Sequence, residues 1–296
     1  MKAKLLWGKE VAAGIKETIC REVSALKVQT GKQPVLATII VGETDASEVY
    51  WNAQKRNAEE MGIAYKLYKI SDNLAQENLL AEIHTLNHDE TVNGIMLNLP
   101  LPEHLNAEEA VASISPLKDA EGIHPENIGD IVIGNNAVAP STASACLELV
   151  KSTGIGLRGK EVVCIGASRI VGKPVSLMLL NEMATVTICH IATSERKLLE
   201  SHVRRAEVLI SAIGKSDIIP SDWIQKEAVV IDVGIHRKNG KLCGDIDTDS
   251  AMERAGFISP VPGGVGPLTV AMLMRNLLAI FKIQQGIRPL SSDRST

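Results

Sequence analysis

Apolar residues recur along this chain at two periods, and the switching between them outlines its architecture. From Gly8 to Lys27, Val11, Ile15, Ile19, Val23 and Leu26 return at helical spacing between charged neighbours, which predicts an amphipathic helix. The run PVLATIIVG, Pro34 to Gly42, then predicts a buried strand ended by glycine. A helix over 46–61, a strand over 64–70, a helix over 76–86 and a strand over 94–99 are expected next. Residues 107–114 are expected to be helical, and the polar, turn-rich PLKDAEGIHPENIGD at Pro116 to Asp130 to be a linker or a functional loop. A helix over 140–154 bridges into a second half, where the pattern restarts. Strand 162–165, helix 174–181, strand 185–189, helix 195–205 and strands 208–212 and 228–233 follow in turn. PVPGGVGPLT at Pro260 to Thr269 is expected to be a specialised loop, followed by a last helix over 270–285 and a frayed tail at PLSSDRST. The alternation predicts an α/β protein of two domains. Helices wrap a parallel sheet in the first, and the second is a Rossmann-like doubly wound parallel sheet.

The stretch with most chemistry in it is Val162 to Leu180, VVCIGASRIVGKPVSLMLL. A short apolar strand ends at Gly166, Gly172 follows six residues later, and Pro174 stands just inside the next helix, where its missing N–H costs nothing. In such a unit the glycines permit a tight turn and close packing, and the helix N-terminus offers N–H groups to a pyrophosphate. The spacing is G-x-S-x-x-x-G, not G-x-G-x-x-G, and a glycine-containing βα turn alone is more often plain architecture than a cofactor site.

Composition narrows the classes. With 296 residues, 45% of them hydrophobic and 22% charged, the chain can bury full cores, and neither disorder nor a fibre is indicated. A net charge of -4 argues against a nucleic-acid or anionic-membrane partner, since either would want a basic face. The five cysteines are widely spaced without a C-x-x-C pair, so reduced core thiols and a cytoplasmic setting are expected. The N-terminus lacks the apolar run of a signal peptide, and nowhere do about 18 uncharged apolar residues follow one another.

The segments GETDASEVYWNAQKRNAEEMGI, GIMLNLPLPEHL, PLKDAEGIHPENIG, VVCIGASRIVGKP, TVTICH, AEVLISAIGK, VVIDVGIHR and PVPGGVGPLT stand in the order and spacing of one family. Across nearly its whole length the chain resembles the methylenetetrahydrofolate dehydrogenase/cyclohydrolase family. The resemblance implies a folate-dependent one-carbon enzyme, usually a homodimer, with folate in the cleft between two α/β domains. Residues 1–138 with 270–296 would form the folate-binding catalytic domain, and 139–269 the nicotinamide dinucleotide domain. It implies catalytic positions at Tyr50, Gln54, Asn98 and Glu121. Folate contacts are implied at Ser47, Tyr50, Leu99, Pro100, Asp119, Glu121, Pro262, Gly263, Gly264, Pro267 and Thr269. Cofactor contacts are implied in the first βα turn at Gly166, Ala167, Ser168, Ile170, Val171, Gly172 and Pro174. Others are implied at Thr142, His190, Ile191, Ala212, Gly214, Asp232, Gly234, Ile235, Gly266 and Thr269. No metal is implied: the spacing of Asp119, Glu121 and His124 matches no established site.

The chain departs from the family where the chemistry lies. The family pattern S-x-x-Y-x-x-x-K reads Ser47, Tyr50 and Gln54 here, so its lysine is missing. Lys55 is adjacent, but one residue turns a helix by about 100°. The glutamine before LPLP is Asn98, the second acid of K-D-x-D-G is Glu121, and Ser141 stands where the family usually has cysteine. Hydride transfer needs mainly orientation, whereas hydrolysis of the methenyl cation needs a group that changes protonation state. Gln54 cannot titrate. The expectation is a methylenetetrahydrofolate dehydrogenase with weak or no cyclohydrolase activity. The alternatives are an ordinary bifunctional enzyme, with Lys55 or another group standing in, and a catalytically silent folate-binding paralogue. NAD is expected over NADP, because the family's G-R-S and H-S-R/K-T read Gly166-Ala167-Ser168 and His190-Ile191-Ala192-Thr193 here. Arg169, Lys173 and Arg196 remain as cations that could serve a phosphate.

Overall fold

The structure is a computed structural model that describes residues 2–42, 45–216, 218–238 and 240–287, with the backbone alone for 45–50. In chain order the first elements are β1 (Lys4–Leu5), α1 (Gly8–Thr30), β2 (Val35–Val41), α2 (Asp45–Glu60), β3 (Ala64–Ile70), α3 (Gln76–His88), β4 (Gly94–Leu97), α4 (Ala107–Ser113), α5 (Pro125–Val132) and α6 (Ser141–Ser152). They are followed by β5 (Glu161–Ile165), α7 (Gly172–Asn181), β6 (Thr185–Cys189), α8 (Ile191–Glu195), α9 (Leu199–Val203), β7 (Val208–Ser211) and β8 (Val229–Asp232). The last are β9 (His236–Lys238), β10 (Lys241–Cys243), α10 (Thr248–Ala251), β11 (Phe257–Ile258) and α11 (Val265–Gln284). The chain divides into two compact units, one of Met1–Gly14, Ile131–Gly134 and Pro140–Met272 and the other of Ile15–Asp130, Asn135–Ala139 and the chain from Leu273, so the boundary falls inside α1, α5 and α11 as well as between α5 and α6.

One unit is built on a parallel three-stranded sheet in the order β3-β2-β4. Its middle strand, VLATIIV, is apolar on both faces because both are covered, as a parallel sheet requires. Ala37, Ile39, Ile95 and Leu97 pack with Leu79 and Ile83 of α3 and Ala110 of α4. Asn106 caps α4, its side-chain oxygen accepting the N–H groups of Glu108 and Glu109 at 3.1 Å. The acidic segment after α4 hangs on the sheet. Ile95 donates its N–H to the Lys118 carbonyl at 2.6 Å and accepts the Ala120 N–H at 3.1 Å.

The other unit holds a six-stranded sheet, β1-β11-β8-β7-β5-β6, parallel throughout. This is the expected doubly wound pattern. Val163, Ile165, Leu209, Val230 and Ile258 fill one side of it with Leu199 and Val203 of α9.

Three elements differ from the sequence pattern. The expected loop over 116–130 contains α5, which starts on Pro125 with Glu126 in its first turn, both favourable at a helix N-terminus. The expected helix over 195–205 is reduced to α9, and a further short helix, α8, precedes it, the two separated at Lys197, whose φ is 57°. The last helix begins at Val265, not 270: Pro267 falls in its first turn, so the second half of PVPGGVGPLT is helical. Strands β1, β9, β10 and β11 are too short for a periodic signal. The predicted frayed tail lies outside the described residues. By length and composition α11 could cross a membrane, yet more than half of it is buried in the protein, as a core helix is.

Asn276, 1% exposed on α11, donates its amide to the carbonyls of Ala120 at 3.0 Å and Ala139 at 2.8 Å. Asn276→Ala strands both acceptors and is expected to cost on the order of 2 kcal/mol, seen as a lower urea midpoint at unchanged slope.

Candidate active site

Position 54 is the first test of the expected site, and its surroundings are built by the sheet beneath it. Thr38 of β2 and Met96 of β4 are paired neighbours in the ladder, so both side chains leave the same face, toward α2. Gln54 lies on them, 1% exposed. Its carbonyl accepts the Tyr65 hydroxyl at 2.7 Å and, weakly, the Thr38 hydroxyl at 3.5 Å, while its amide nitrogen lies 2.9 Å from the Met96 sulfur. Burial pushes the Tyr65 phenol up to about 12, so it stays protonated and serves as the donor. Lys55 projects elsewhere: it is half exposed and pairs with Glu59 one turn on, at 3.9 Å. The side chains of Ser47 and Tyr50 lie outside the described residues.

The acidic loop separates its two carboxylates by role. Asp119 is 1% exposed and accepts the N–H groups of Gly122 (3.0 Å) and His124 (2.7 Å) and the Asn127 amide (2.9 Å), so it holds the loop's shape. Glu121 is half-buried at the turn itself, where burial, then the Asp119 charge, push its carboxyl up to about 7. Asn98, Leu99 and Pro100 follow β4 directly; the Asn98 N–H continues the ladder to Ile39 at 2.9 Å.

In the six-stranded unit the βα turn is as tight as its glycines allow. A Cβ on Gly172 would stand 2.0 Å from the Gly166 carbonyl oxygen, and one on Gly166, at φ 109°, would stand 2.3 Å from the Ala212 oxygen. Thus Gly166, Gly172 and Ala212 come together. Ser168 ties the turn, its hydroxyl accepting the N–H of Val171 (3.2 Å) and Gly172 (3.3 Å). Pro174 is buried in the first turn of α7, while His190 and Ile191 are exposed beyond β6, Ile191 at 73%.

Two buried carboxylates organise the neighbouring loops. Asp245 accepts the Ser211 hydroxyl (2.8 Å) and the N–H groups of Ile213 (2.7 Å) and Lys215 (3.0 Å), and so fixes the loop carrying Gly214. Asp232 accepts the N–H groups of Gly234 (3.1 Å), Asp245 (3.0 Å) and Ile246 (2.9 Å). A Cβ on Gly234 would collide with the Asp245 carboxylate at 1.8 Å. Burial pushes Asp232 up to about 7, its backbone donors opposing the shift. Beside this pair a cavity of about 330 Å³ is lined by Asp232, Val233, Ile235, Leu242 and the run from Pro260 to Pro267. It unites Pro262, Gly263, Gly264 and Pro267, expected at folate, with Asp232, Ile235 and Gly266, expected at the cofactor. Thr269 lies one turn into α11, its hydroxyl 3.3 Å from the Val265 carbonyl, and Thr142 is half-buried in the first turn of α6.

Two sequence profiles match the chain: the tetrahydrofolate dehydrogenase/cyclohydrolase catalytic domain over residues 6–121, and the NAD(P)-binding domain of the same enzymes over 140–285. The chain belongs to the tetrahydrofolate dehydrogenase/cyclohydrolase family. It is 46% identical to the bifunctional protein FolD of Magnetococcus marinus over 275 residues, 93% of this chain and 95% of that one. The solved FolD methylenetetrahydrofolate dehydrogenase/cyclohydrolase of Campylobacter jejuni is similar with a TM-score of 0.90 and 41% identity, covering 95% of this chain and 99% of that one. The Trypanosoma brucei FolD, solved with NADP cofactor and an inhibitor, has a TM-score of 0.90 and 37% identity, covering 96% and 99%. The turn between Gly166 and Gly172 thus packs backbone against backbone, with no room for a side chain at either glycine.

Sequence reasoning did not single out Thr38, Tyr65, Met96, Asn127, Ser211, Asp245 or Leu242. Thr38 could have been noticed as a polar residue in an apolar strand; the others carried no signal short of the fold.

Glu121→Gln removes a carboxyl whose folded pKa, about 7, lies above its unfolded value near 4.5. Stability from that group is present below the unfolded value and lost as pH rises through 7, so the variant's melting temperature should gain on the parent's between pH 5 and pH 8. Gly172→Ala must push Gly166 away and is expected to weaken nicotinamide binding, titrated by fluorescence, by more than about tenfold. Gly14→Ala, whose Cβ meets nothing within 4 Å, should bind as the parent does.

Proposed function

We propose that this protein oxidises 5,10-methylenetetrahydrofolate to the methenyl cation with a nicotinamide dinucleotide, and then hydrolyses that cation. The observation that carries the two-activity reading is kinship: relatives 46% and 45% identical over 93% of this chain are named bifunctional. A nicotinamide dinucleotide held by this chain would supply the hydride acceptor. The chain's part in that step is placement. The glycine turn and the start of α7 receive the pyrophosphate, Asp245 fixes the loop at 212–215, and the run from Pro260 to Pro267 shapes the neighbouring cavity.

Hydrolysis asks for water and a mobile proton. Gln54 supplies neither. Glu121, half-buried and titrating near 7, takes the proton-carrying part in this chain.

One observation favours a second reading, a dehydrogenase with weak cyclohydrolase activity. Gln54 is buried and committed to Tyr65 and Met96, and Lys55 pairs with Glu59 outside. Two assays on one preparation test the readings. Hydrolysis of methenyltetrahydrofolate well above the spontaneous rate, lost in Glu121→Gln, is the expected result. Hydrolysis at the spontaneous rate, raised by Gln54→Lys, supports the second reading instead. A lysine there would be buried beside hydroxyls and a thioether, which lowers its pKa toward the working range.

For the cofactor we propose NAD, on the apolar Ala167, Ile191 and Ala192 at the positions that would face a ribose phosphate. The ratio of kcat/KM with NAD and NADP checks this, and a preference for NADP overturns it. A homodimer in a reducing, cytoplasmic setting is supported by family resemblance and by five free thiols, and sedimentation at twice the monomer mass is the expected readout.

A further inference from the structure

The cavity-lining loop is braced by the other end of the chain. After β1, the Leu6 N–H donates to the Ile258 carbonyl at 2.8 Å and the Gly8 N–H to the Gly263 carbonyl at 2.9 Å, so residues 6–8 run alongside the loop. The fit is close at two points. A Cβ on Gly8 would stand 1.8 Å from the Gly264 carbonyl oxygen, and one on Gly263, which sits at φ 112°, would stand 2.7 Å from Cζ3 of Trp7. The six-membered ring of the indole therefore occupies the space that a side chain on Gly263 would take. Trp7 does not line the cavity; Gly263 and Gly264 do, and Trp7 stands behind them. Within the loop Gly264 donates to the Pro260 carbonyl at 2.7 Å, and at its start Ser259 accepts the Asp232 N–H at 2.8 Å.

We propose that Trp7 is a positioning residue, whose indole holds Gly263 in the conformation that gives the cavity its ligand-binding shape. A large planar side chain suits this role. It covers a bare glycine backbone over a wide area and has few rotatable bonds to freeze. Trp7 is 36% exposed, with the Lys9 ammonium 5.9 Å from its ring centroid, so burial alone gives no reason for a tryptophan there. The ligand is the one the cavity's neighbours fit, a flat heteroaromatic group on a nicotinamide dinucleotide or a folate. The proposal rests on that reading of the site.

The test compares Trp7→Ala with Trp7→Phe, and with Trp7→Leu should the alanine variant fail to fold. Amide exchange of residues 263–266 in the ligand-free protein is read first, and steady-state kinetics with NAD and methylenetetrahydrofolate second. In Trp7→Ala we expect loop protection to fall, KM for one ligand to rise about tenfold or more, and kcat to change less than about threefold, with phenylalanine restoring both. A loop that loosens with unchanged KM, or a KM that holds while kcat and melting temperature fall, overturns the proposal. If neither NAD nor NADP supports oxidation, the proposed function fails by itself. Loop exchange and equilibrium binding of the dinucleotide, measured by calorimetry, then still decide the role of Trp7.

Discussion

The six-stranded unit depends on a pair of buried carboxylates. Asp232 and Asp245 are each 1% exposed, and burying either alone would be prohibitive. What makes them tolerable is the set of donors: five backbone N–H groups and the Ser211 hydroxyl converge on the two side chains. The arrangement works in both directions, since loops that leave parallel strands must satisfy their N–H groups somewhere. Here they do so on two acids, and the loops at 212–215 and 232–235 are ordered by that need. Burial still leaves its mark, pushing the Asp232 carboxyl up to about 7 against the pull of its backbone donors.

The sheets were largely readable from sequence because the longer strands are compact, mostly apolar or β-branched runs between helices. Thr185–Cys189 and Ala64–Ile70 fall on their predicted limits. What escaped was decided by single backbone events. Lys197 in a left-handed conformation separates α8 from α9, so the helix expected from 195 starts only at Leu199, a choice no periodicity encodes. Pro125 and Pro267 look like breakers and act as starters, since a proline in a first helical turn loses no hydrogen bond. Two-residue strands such as β1 exist only through their partner, and a local pattern cannot announce them.

The site was legible in a different way. The glycines at 166, 172, 263 and 264 identified themselves, because a missing Cβ marks close approach whatever the fold. The loss of the lysine at position 54 was equally plain. Its setting was not: Gln54, Tyr65 and Met96 meet only once α2 lies on the sheet, and they are 11 and 42 residues distant in sequence. Asp119 and Glu121 differ by two positions and have opposite roles, one committed to three donors and one half-buried and titrating. Burial, not residue type, separates them.

The distribution of thiols has a practical side. Cys146, Cys164 and Cys189 are wholly buried and burial raises the pKa of each, so as protonated core thiols they are poor nucleophiles. Cys20 and Cys243 are partly exposed. One lies on α1 in the three-stranded unit and the other on β10 in the six-stranded unit. The unaltered chain thus carries a partly exposed thiol in each unit, so a thiol-reactive dye can report on either unit without an engineered cysteine.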